Sequence, residues 1–308
     1  MSHYQLLKTI NFIEEPTIAT IGTYDGVHLG HQYLLRKVSD EAIRRDARSV
    51  AFVFKEQPRT IIKASEQVNY LSDFESRLST LATMGIDHIV QLEFNQTIQK
   101  LSSIEFVSAL RERIHLVSLV LGPGATIGAD RAGFQQLSTQ TIHSEIDFIE
   151  VPPVVIDGEP VSSSIIRIAV VNGNCELAAK MLGRYYEITG EVTSGKKRGR
   201  EIGFPTANIE PKFPVAIPEN GIYATLAEVD DEVYQAATSI GIRPTFETGG
   251  CRTIESHLLN FNGDLYNKRI RLQFVKRLRS EVKFESITQL VEQMDKDVEQ
   301  TRKLLSDV

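Results

Sequence analysis

The stretch Thr17-Ile18-Ala19-Thr20-Ile21-Gly22-Thr23-Tyr24-Asp25-Gly26-Val27-His28-Leu29-Gly30-His31 decides the fold of the first half of the chain. Its apolar, β-branched beginning reads as a buried strand, and two glycines then lead into a helical pattern. From residue 30 to about 45, Leu34, Leu35, Val38 and Ala42 recur at helical spacing, with Arg36, Lys37 and Asp40 between them. A strand, a tight turn and an amphipathic helix form the opening unit of a parallel α/β layer. The helix start offers unpaired N–H groups and a positive dipole end to an anion. His28 and His31, three apart, can face the same ligand and donate to oxygens whose charge builds during displacement at phosphorus. Half of a zinc site and a purely structural pair are the other readings of such a pair.

The same alternation continues outward. Strands are expected at 49–54, 88–92, 118–121 and 148–151, and helices near 73–84 and 103–113. This predicts a Rossmann-like parallel sheet with helices on both faces and a ligand site beyond the carboxyl ends of the strands. After Asn172-Gly173-Asn174 a short helix (176–182) gives way to strand-like runs at 223–229, 232–240, 253–261 and 269–274. Asp230-Asp231 and Asn262-Gly263-Asp264 are their turns. A small antiparallel β-barrel is the economical arrangement. The last stretch places Ile287, Leu290, Val291, Met294, Val298, Thr301 and Leu305 on one face of a terminal helix expected to pack on that barrel. With 308 residues the chain exceeds the usual single core. We divide it at 182/183, into an α/β domain (1–182) and a β domain (183–308).

A formal net charge of −6 argues against a general nucleic-acid binder. The N-terminal segment carries Glu14 and Glu15 where a secretory signal would be apolar, and no run of eighteen apolar residues occurs, so no membrane partner and a cytoplasmic location are expected. Cys175 and Cys251 lack Cys-x-x-Cys spacing and imply neither a disulfide framework nor a zinc ribbon. Oligomeric state is not legible.

Further downstream, Val161-Ser162-Ser163-Ser164-Ile165-Ile166-Arg167 presents three hydroxyls at a helix start and an arginine one turn in. It is either a plain N-cap with a surface arginine or a second polyphosphate cradle. Gly190-Glu191-Val192-Thr193-Ser194-Gly195-Lys196-Lys197 nearly spells a P-loop. It has Lys where Ser or Thr belongs and stands in an antiparallel context, so it is rejected as one. The basic run Lys196-Lys197-Arg198 with Arg200 either attracts phosphates or stays hydrated.

His-x-Gly-His followed by Ser-Ser-Ser-x-Ile-Arg resembles the nucleotidylyltransferase module of bacterial bifunctional riboflavin kinase/FAD synthetases. Tyr24 replaces the family's usual Phe. Gly199-Arg200-Glu201-Ile202-Gly203-Phe204-Pro205-Thr206-Ala207-Asn208 is similar to the signature of the riboflavin kinase module. Gly241-Ile242-Arg243-Pro244-Thr245-Phe246 and Ile254-Glu255-Ser256-His257 match its later segments. The resemblance covers nearly the whole chain.

It implies that riboflavin and ATP give FMN, and that FMN and a second ATP give FAD and pyrophosphate, with Mg2+ accompanying the ATP in both sites. The residues implied for ATP are Gly22, Tyr24, Asp25, Gly26, His28, Gly30, His31, Ser162, Ser163, Ser164 and Arg167 in the first module. In the second they are Gly199, Gly203, Pro205, Thr206 and Asn208, with Thr206 and Asn208 as hard metal ligands. His28, His31 and Glu255 are the implied catalytic residues, Glu255 as general base. A lone Glu in a β pattern is otherwise solvent-facing. Flavin contacts are implied for Gly122, Gly124 and Gly128 and for Arg279, which is otherwise a solvated charge. In this chain Gly122-Pro123-Gly124-Ala125-Thr126-Ile127-Gly128 lacks a polar side chain and two aromatics that the family commonly shows there. Rings that pack on the flavin contribute about 1 kcal/mol each. The alternative is therefore a riboflavin kinase whose first module is inactive or takes another phosphorylated acceptor.

Overall fold

The computed structural model describes residues 12–58, 69–139, 145–194, 199, 202–242 and 252–306. Two compact units emerge, Met1–Val68 with Phe74–Ser162, and Asn69–Asp73 with Ser163–Val308. By contacts the chain thus divides between Ser162 and Ser163.

The first unit contains, in chain order, β1 (Ile13–Gly22), α1 (Leu29–Arg44), β2 (Arg48–Phe54), α2 (Phe74–Ala82), β3 (His88–Leu92), α3 (Gln96–Lys100), α4 (Ser103–Arg111), β4 (Ile114–Leu121), α5 (Phe134–Thr139), β5 (Asp147–Glu150), β6 (Val155–Ile156) and β7 (Glu159–Pro160). The sheet order is β3-β2-β1-β4-β5, and all its pairs are parallel. Period-two alternation divides the strands between two cores. Ile18, Ala51, Val53 and Val120 meet Leu34, Leu35 and Val38 of α1 and Phe74 and Leu81 of α2. Ala19, Val50, Phe52, Leu119 and Leu121 meet Phe106, Val107 and Leu110 of α4 on the other face. The expected alternation is present. The short helices α3 and α5 and the β6–β7 hairpin were not in it.

The second unit continues with α6 (Ser163–Val171), α7 (Cys175–Leu182), β8 (Tyr186–Thr193), β9 (Ala207–Glu210), β10 (Gly221–Val229), β11 (Glu232–Ile242), β12 (Arg252–Leu258), β13 (Arg269–Arg279) and α8 (Ile287–Leu304). Its strands close a barrel in the order β10-β11-β12-β9-β8-β13. The turn at Asp230-Asp231 joins β10 to β11 with both residues at positive φ, 51° and 64°. That conformation matches the twist of a tight hairpin. Ile254, Ser256 and Leu258 are buried, so the intervening Glu255 and His257 project from the other side of the strand. The segment Asn69–Asp73 belongs to this unit, where the Tyr70 N–H donates to the Pro214 carbonyl at 2.8 Å.

The terminal helix packs on β10 and β11 as expected. Its face differs in detail: Thr301 and Leu305 are buried, but Ile287 is 68% exposed. Ile287 is the first helical residue, after the Ser286 N-cap, and so lies at the frayed end of the stripe. Residues 195–198, 200–201 and 243–251, which carry the basic run, Cys251 and most of the Gly-Ile-Arg-Pro-Thr-Phe segment, lie outside the described residues. Gly190–Thr193 of the rejected P-loop lies within β8, in antiparallel pairing.

Candidate active sites

In the first unit the strand order reverses direction at β1, between β2 and β4, and that point is where an open α/β sheet receives ligands. The turn leaving β1 is held in an uncommon backbone conformation, with φ of 52° at Tyr24, 78° at Gly26 and 39° at Val27. Positive φ at a β-branched residue is a genuine outlier, of the kind that persists where surrounding contacts enforce it. His28 then serves as the N-cap of α1, its Nδ1 accepting the His31 N–H at 3.3 Å. The two imidazoles stack, centroids 3.6 Å apart and planes 17° from parallel. An added Cβ at Gly30 would stand 3.1 Å from His28 Nδ1 and 3.4 Å from the Val161 carbonyl. Glycine there lets the ring lie across the helix start, and it brings the residue before Ser162 against the motif.

Burial first, and then the positive potential of His28 and Arg77, holds His31 protonation well below the ordinary histidine range. His31 Nδ1 is buried without a hydrogen-bond partner among the described residues. Such an atom is costly unless a ligand or water satisfies it. Tyr24 is buried beneath Gly22, with its hydroxyl donating to Thr20 Oγ1 at 3.1 Å. It therefore shapes the turn from below. Asp25 is buried too, accepting from Gln57 Nε2 at 3.4 Å. Gly124, at the exit of β4, donates its N–H to Glu150 Oε1 at 3.2 Å. Gly128 has φ of 77°, and a Cβ there would lie 2.1 Å from the Ser103 nitrogen, so it packs on the start of α4. Ser163, Ser164 and Arg167 start α6 in the second unit, where Arg167 Nε donates to the Asn69 carbonyl at 2.7 Å.

The barrel carries a second constellation. A cavity of about 280 Å³ is lined by the polar or charged Thr206, Ser239, Glu255, His257, Arg279, Glu281 and Asp297, and by apolar residues that include Leu290, Met294 and Val298 of α8. Glu255 is in register with Asn208 on β9 and with Ser239 on β11. Thr206, just ahead of β9, and Asn208 within it flank the buried Ala207. Ahead of them, the Phe204 N–H donates to the Gly199 carbonyl at 2.8 Å, and a Cβ on Gly199 would stand 2.3 Å from the Phe204 carbonyl. Gly203 adopts φ of 90°. His257 Nδ1 bonds the Pro205 carbonyl at 2.8 Å, and its ring meets Phe204 edge-on at 5.5 Å. Arg279 forms a fork with the buried Asp297 of α8, Nε to Oδ1 at 2.8 Å and Nη2 to Oδ2 at 2.6 Å.

Two family models divide the chain between them: FAD synthetase over residues 11–165 and riboflavin kinase over residues 182–305. A bifunctional riboflavin kinase/FMN adenylyltransferase of Pseudomonas fluorescens is 33% identical over 93% of this chain and 92% of its own length. The chain belongs to the bifunctional riboflavin kinase/FMN adenylyltransferase family. The Bacillus subtilis member is 31% identical over 95% of this chain and 93% of its own. A solved structure described as a macrolide-efflux protein from Streptococcus pneumoniae superposes with a TM-score of 0.87 at 30% identity, covering 96% of each chain. Among the described residues of this chain, no helix is long and apolar enough to cross a membrane.

Sequence reasoning did not single out His257, Phe204 or the apolar wall from α8 as parts of the site. Period two from Glu255 was the available signal for His257. The α8 stripe was read, but as packing alone. Arg77, within the helix expected near 73–84, was not singled out either.

Proposed function

We infer that one chain runs two consecutive ATP-dependent steps, riboflavin to FMN in the barrel module and FMN to FAD in the parallel-sheet module. The observation that carries the kinase half is the placement of Glu255 in register with Asn208, on the wall of a cavity that also holds Thr206. In that step the Glu255 carboxylate accepts the proton of the riboflavin 5′-hydroxyl as its oxygen attacks the ATP γ-phosphorus, and ADP leaves. The apolar wall receives the flavin ring, and Arg279 holds the helix that forms that wall. Gly199, Gly203 and Pro205 shape the cover over the phosphates.

The oxygen donors Thr206 Oγ1 and Asn208 Oδ1, beside a carboxylate, fit a hard divalent cation that takes few protein ligands and shares the phosphates. We assign it as Mg2+, held by Thr206 and Asn208. When bound, it neutralises phosphate oxygens as charge shifts to the leaving group.

In the adenylyltransferase half, an oxygen of the FMN phosphate attacks the ATP α-phosphorus and pyrophosphate leaves, with no protein nucleophile. His28 and His31 donate to the triphosphate from the start of α1. Gly22, Tyr24, Asp25, Gly26 and Gly30 set the turn, and Ser162, Ser163, Ser164 and Arg167 are assigned to ATP on the resemblance of their motif. Gly122, Gly124 and Gly128 border the flavin. We draw the functional boundary at 182/183, which assigns α6 and α7 to adenylylation although they pack in the second compact unit. The substrates are ATP, riboflavin and FMN, and we place the reactions in the cytoplasm, without nucleic-acid or membrane partners.

Incubation with riboflavin and Mg-ATP, followed by chromatographic separation of flavins, tests the reading. FMN appearing first and FAD after it supports it. Accumulation of FMN without FAD favours the alternative, prompted by the altered Gly122–Gly128 segment, in which the first module takes another acceptor or none. Failure to form FMN overturns the reading.

A further inference from the structure

Arg77 is the largest side chain completely withdrawn from solvent among the described residues, at 0% exposure. It occupies the buried stripe of α2 with Phe74 and Leu81, a place where the helical pattern calls for an apolar residue. Burying a guanidinium is unfavourable unless its hydrogens are directed at acceptors. Nη1 donates to the carbonyls of Thr23 at 2.9 Å, Phe54 at 3.1 Å and Lys55 at 3.3 Å. The guanidinium also lies over the Phe74 ring, 5.4 Å from its centroid.

These carbonyls are not scattered. Thr23 is the first residue beyond β1, Phe54 the last of β2 and Lys55 the next. One cation thus gathers the exits of two neighbouring parallel strands on the edge where the histidine motif begins. Immediately after Thr23 the chain enters the positive-φ turn of Tyr24, Gly26 and Val27 that delivers His28 to the helix cap.

We propose that Arg77 is a positioning residue for FMN adenylylation, fixing the β1–α1 turn from beneath so that the His28 and His31 rings stay stacked at the helix start. It touches neither substrate nor reacting atoms. All three carbonyls meet the one nitrogen Nη1, which the planar guanidinium, lying over the Phe74 ring, holds at a fixed place; a lysine ammonium on its flexible stem lacks that constraint. This rests on the reading that the histidine turn serves adenylylation.

The test uses the full chain carrying Arg77→Lys and Arg77→Met. Misplacement of reacting groups by about 1 Å costs about a hundredfold in rate. Arg77→Lys is expected to lower kcat for FMN-to-FAD conversion by about that factor, while KM for ATP changes far less and riboflavin phosphorylation keeps its wild-type rate. Amide hydrogen exchange supplies a readout independent of turnover. The Val27 N–H, bonded to the Tyr24 carbonyl at 2.9 Å, and the His31 N–H, bonded to His28 Nδ1, should exchange faster in Arg77→Lys, with the β4 amides unchanged. Wild-type kcat together with unaltered exchange at Val27 and His31 would overturn the inference. Should Arg77→Met unfold the first unit, Arg77→Lys still decides. Should wild-type enzyme make no FAD, the functional reading fails, and the exchange comparison still judges the positioning role.

Discussion

Glu255 of β12 and Asn208 of β9 are direct register partners, so the base proposed for the 5′-hydroxyl stands beside a proposed ligand of the metal that accompanies ATP. On that proposal, the pairing gives a carboxylate in a β pattern a part other than that of an idle surface charge. Positioned proton transfer contributes about 10²–10⁴-fold. Glu255→Ala should therefore lower FMN formation by that order while conversion of supplied FMN to FAD persists. Separated flavin products over time are the measurement, and equal loss of both steps in a folded variant would contradict separate sites.

His28 has two duties that substitutions can separate. As N-cap it satisfies the His31 N–H, and removing a cap costs about 0.5–2 kcal/mol. As an imidazole it stacks on His31 and, in the proposed reaction, donates to the phosphates. His28→Ala should lose FAD formation and lower the unfolding temperature of the first unit. His28→Asn, with a good capping side chain, should recover the stability and not the activity. Calorimetry and the flavin assay on the same samples decide whether the two properties part.

His31 gives stability a defined acid limit. Its folded-state protonation is suppressed by burial and then by His28 and Arg77, whereas the unfolded chain takes up a proton near the ordinary value of about 6.5. Below that pH the unfolded state binds more protons, so stability falls as pH drops; above it both states are neutral and the dependence ends. Thermal unfolding between pH 7.5 and 5 should show a steeper acid-side loss in wild type than in His31→Gln. Parallel curves would remove His31 from the account.

Much of this was legible in the chain because periodicity reports burial directly. The runs at 17–22, 49–54 and 88–92 became parallel strands, and the α1 stripe Leu34, Leu35, Val38 and Ala42 is buried. What stayed hidden depends on long-range placement. Arg77 is written like any charged helix residue, and only the convergence of the β1 and β2 exits makes its position buried. Leu290, Met294 and Val298 carry the same apolar signal whether they fill a core or line a cavity, and here they do the latter. The α6 serines share this indeterminacy, since a helix-start hydroxyl looks alike as a cap and as a phosphate contact.

Arg279 and Asp297 form a fork between β13 and the terminal helix, with Asp297 only 4% exposed. Removing one partner of a buried pair leaves the other charge uncompensated, at a cost of about 3–5 kcal/mol. Gln293 Nε2, donating to Asp297 Oδ1 at 2.9 Å, softens that loss. Arg279→Met should loosen the helix that supplies Leu290, Met294 and Val298 to the cavity, raising KM for riboflavin more than KM for ATP. The paired variant Arg279→Met with Asp297→Leu, which removes both charges, should regain much of the stability. Unchanged riboflavin KM in the single variant would show that the fork does not govern the flavin wall.

Gly30→Ala probes the close approach at the histidine motif. The added methyl would sit 3.1 Å from His28 Nδ1 and 3.2 Å from Cε1, tighter than ordinary contact, so the ring must turn or shift. The helix itself gains, since alanine is the better helix former by about 0.8–1.0 kcal/mol. Stability and catalysis are thus expected to move apart, with an unfolding temperature held or raised while FAD formation falls and FMN formation continues. Turning of the His28 ring also releases the cap, which the His31 amide should report as faster hydrogen exchange. If Gly30→Ala forms FAD at the wild-type rate, the imidazole does not need its place across the helix start, and the stacked pair loses its assigned part in adenylate transfer.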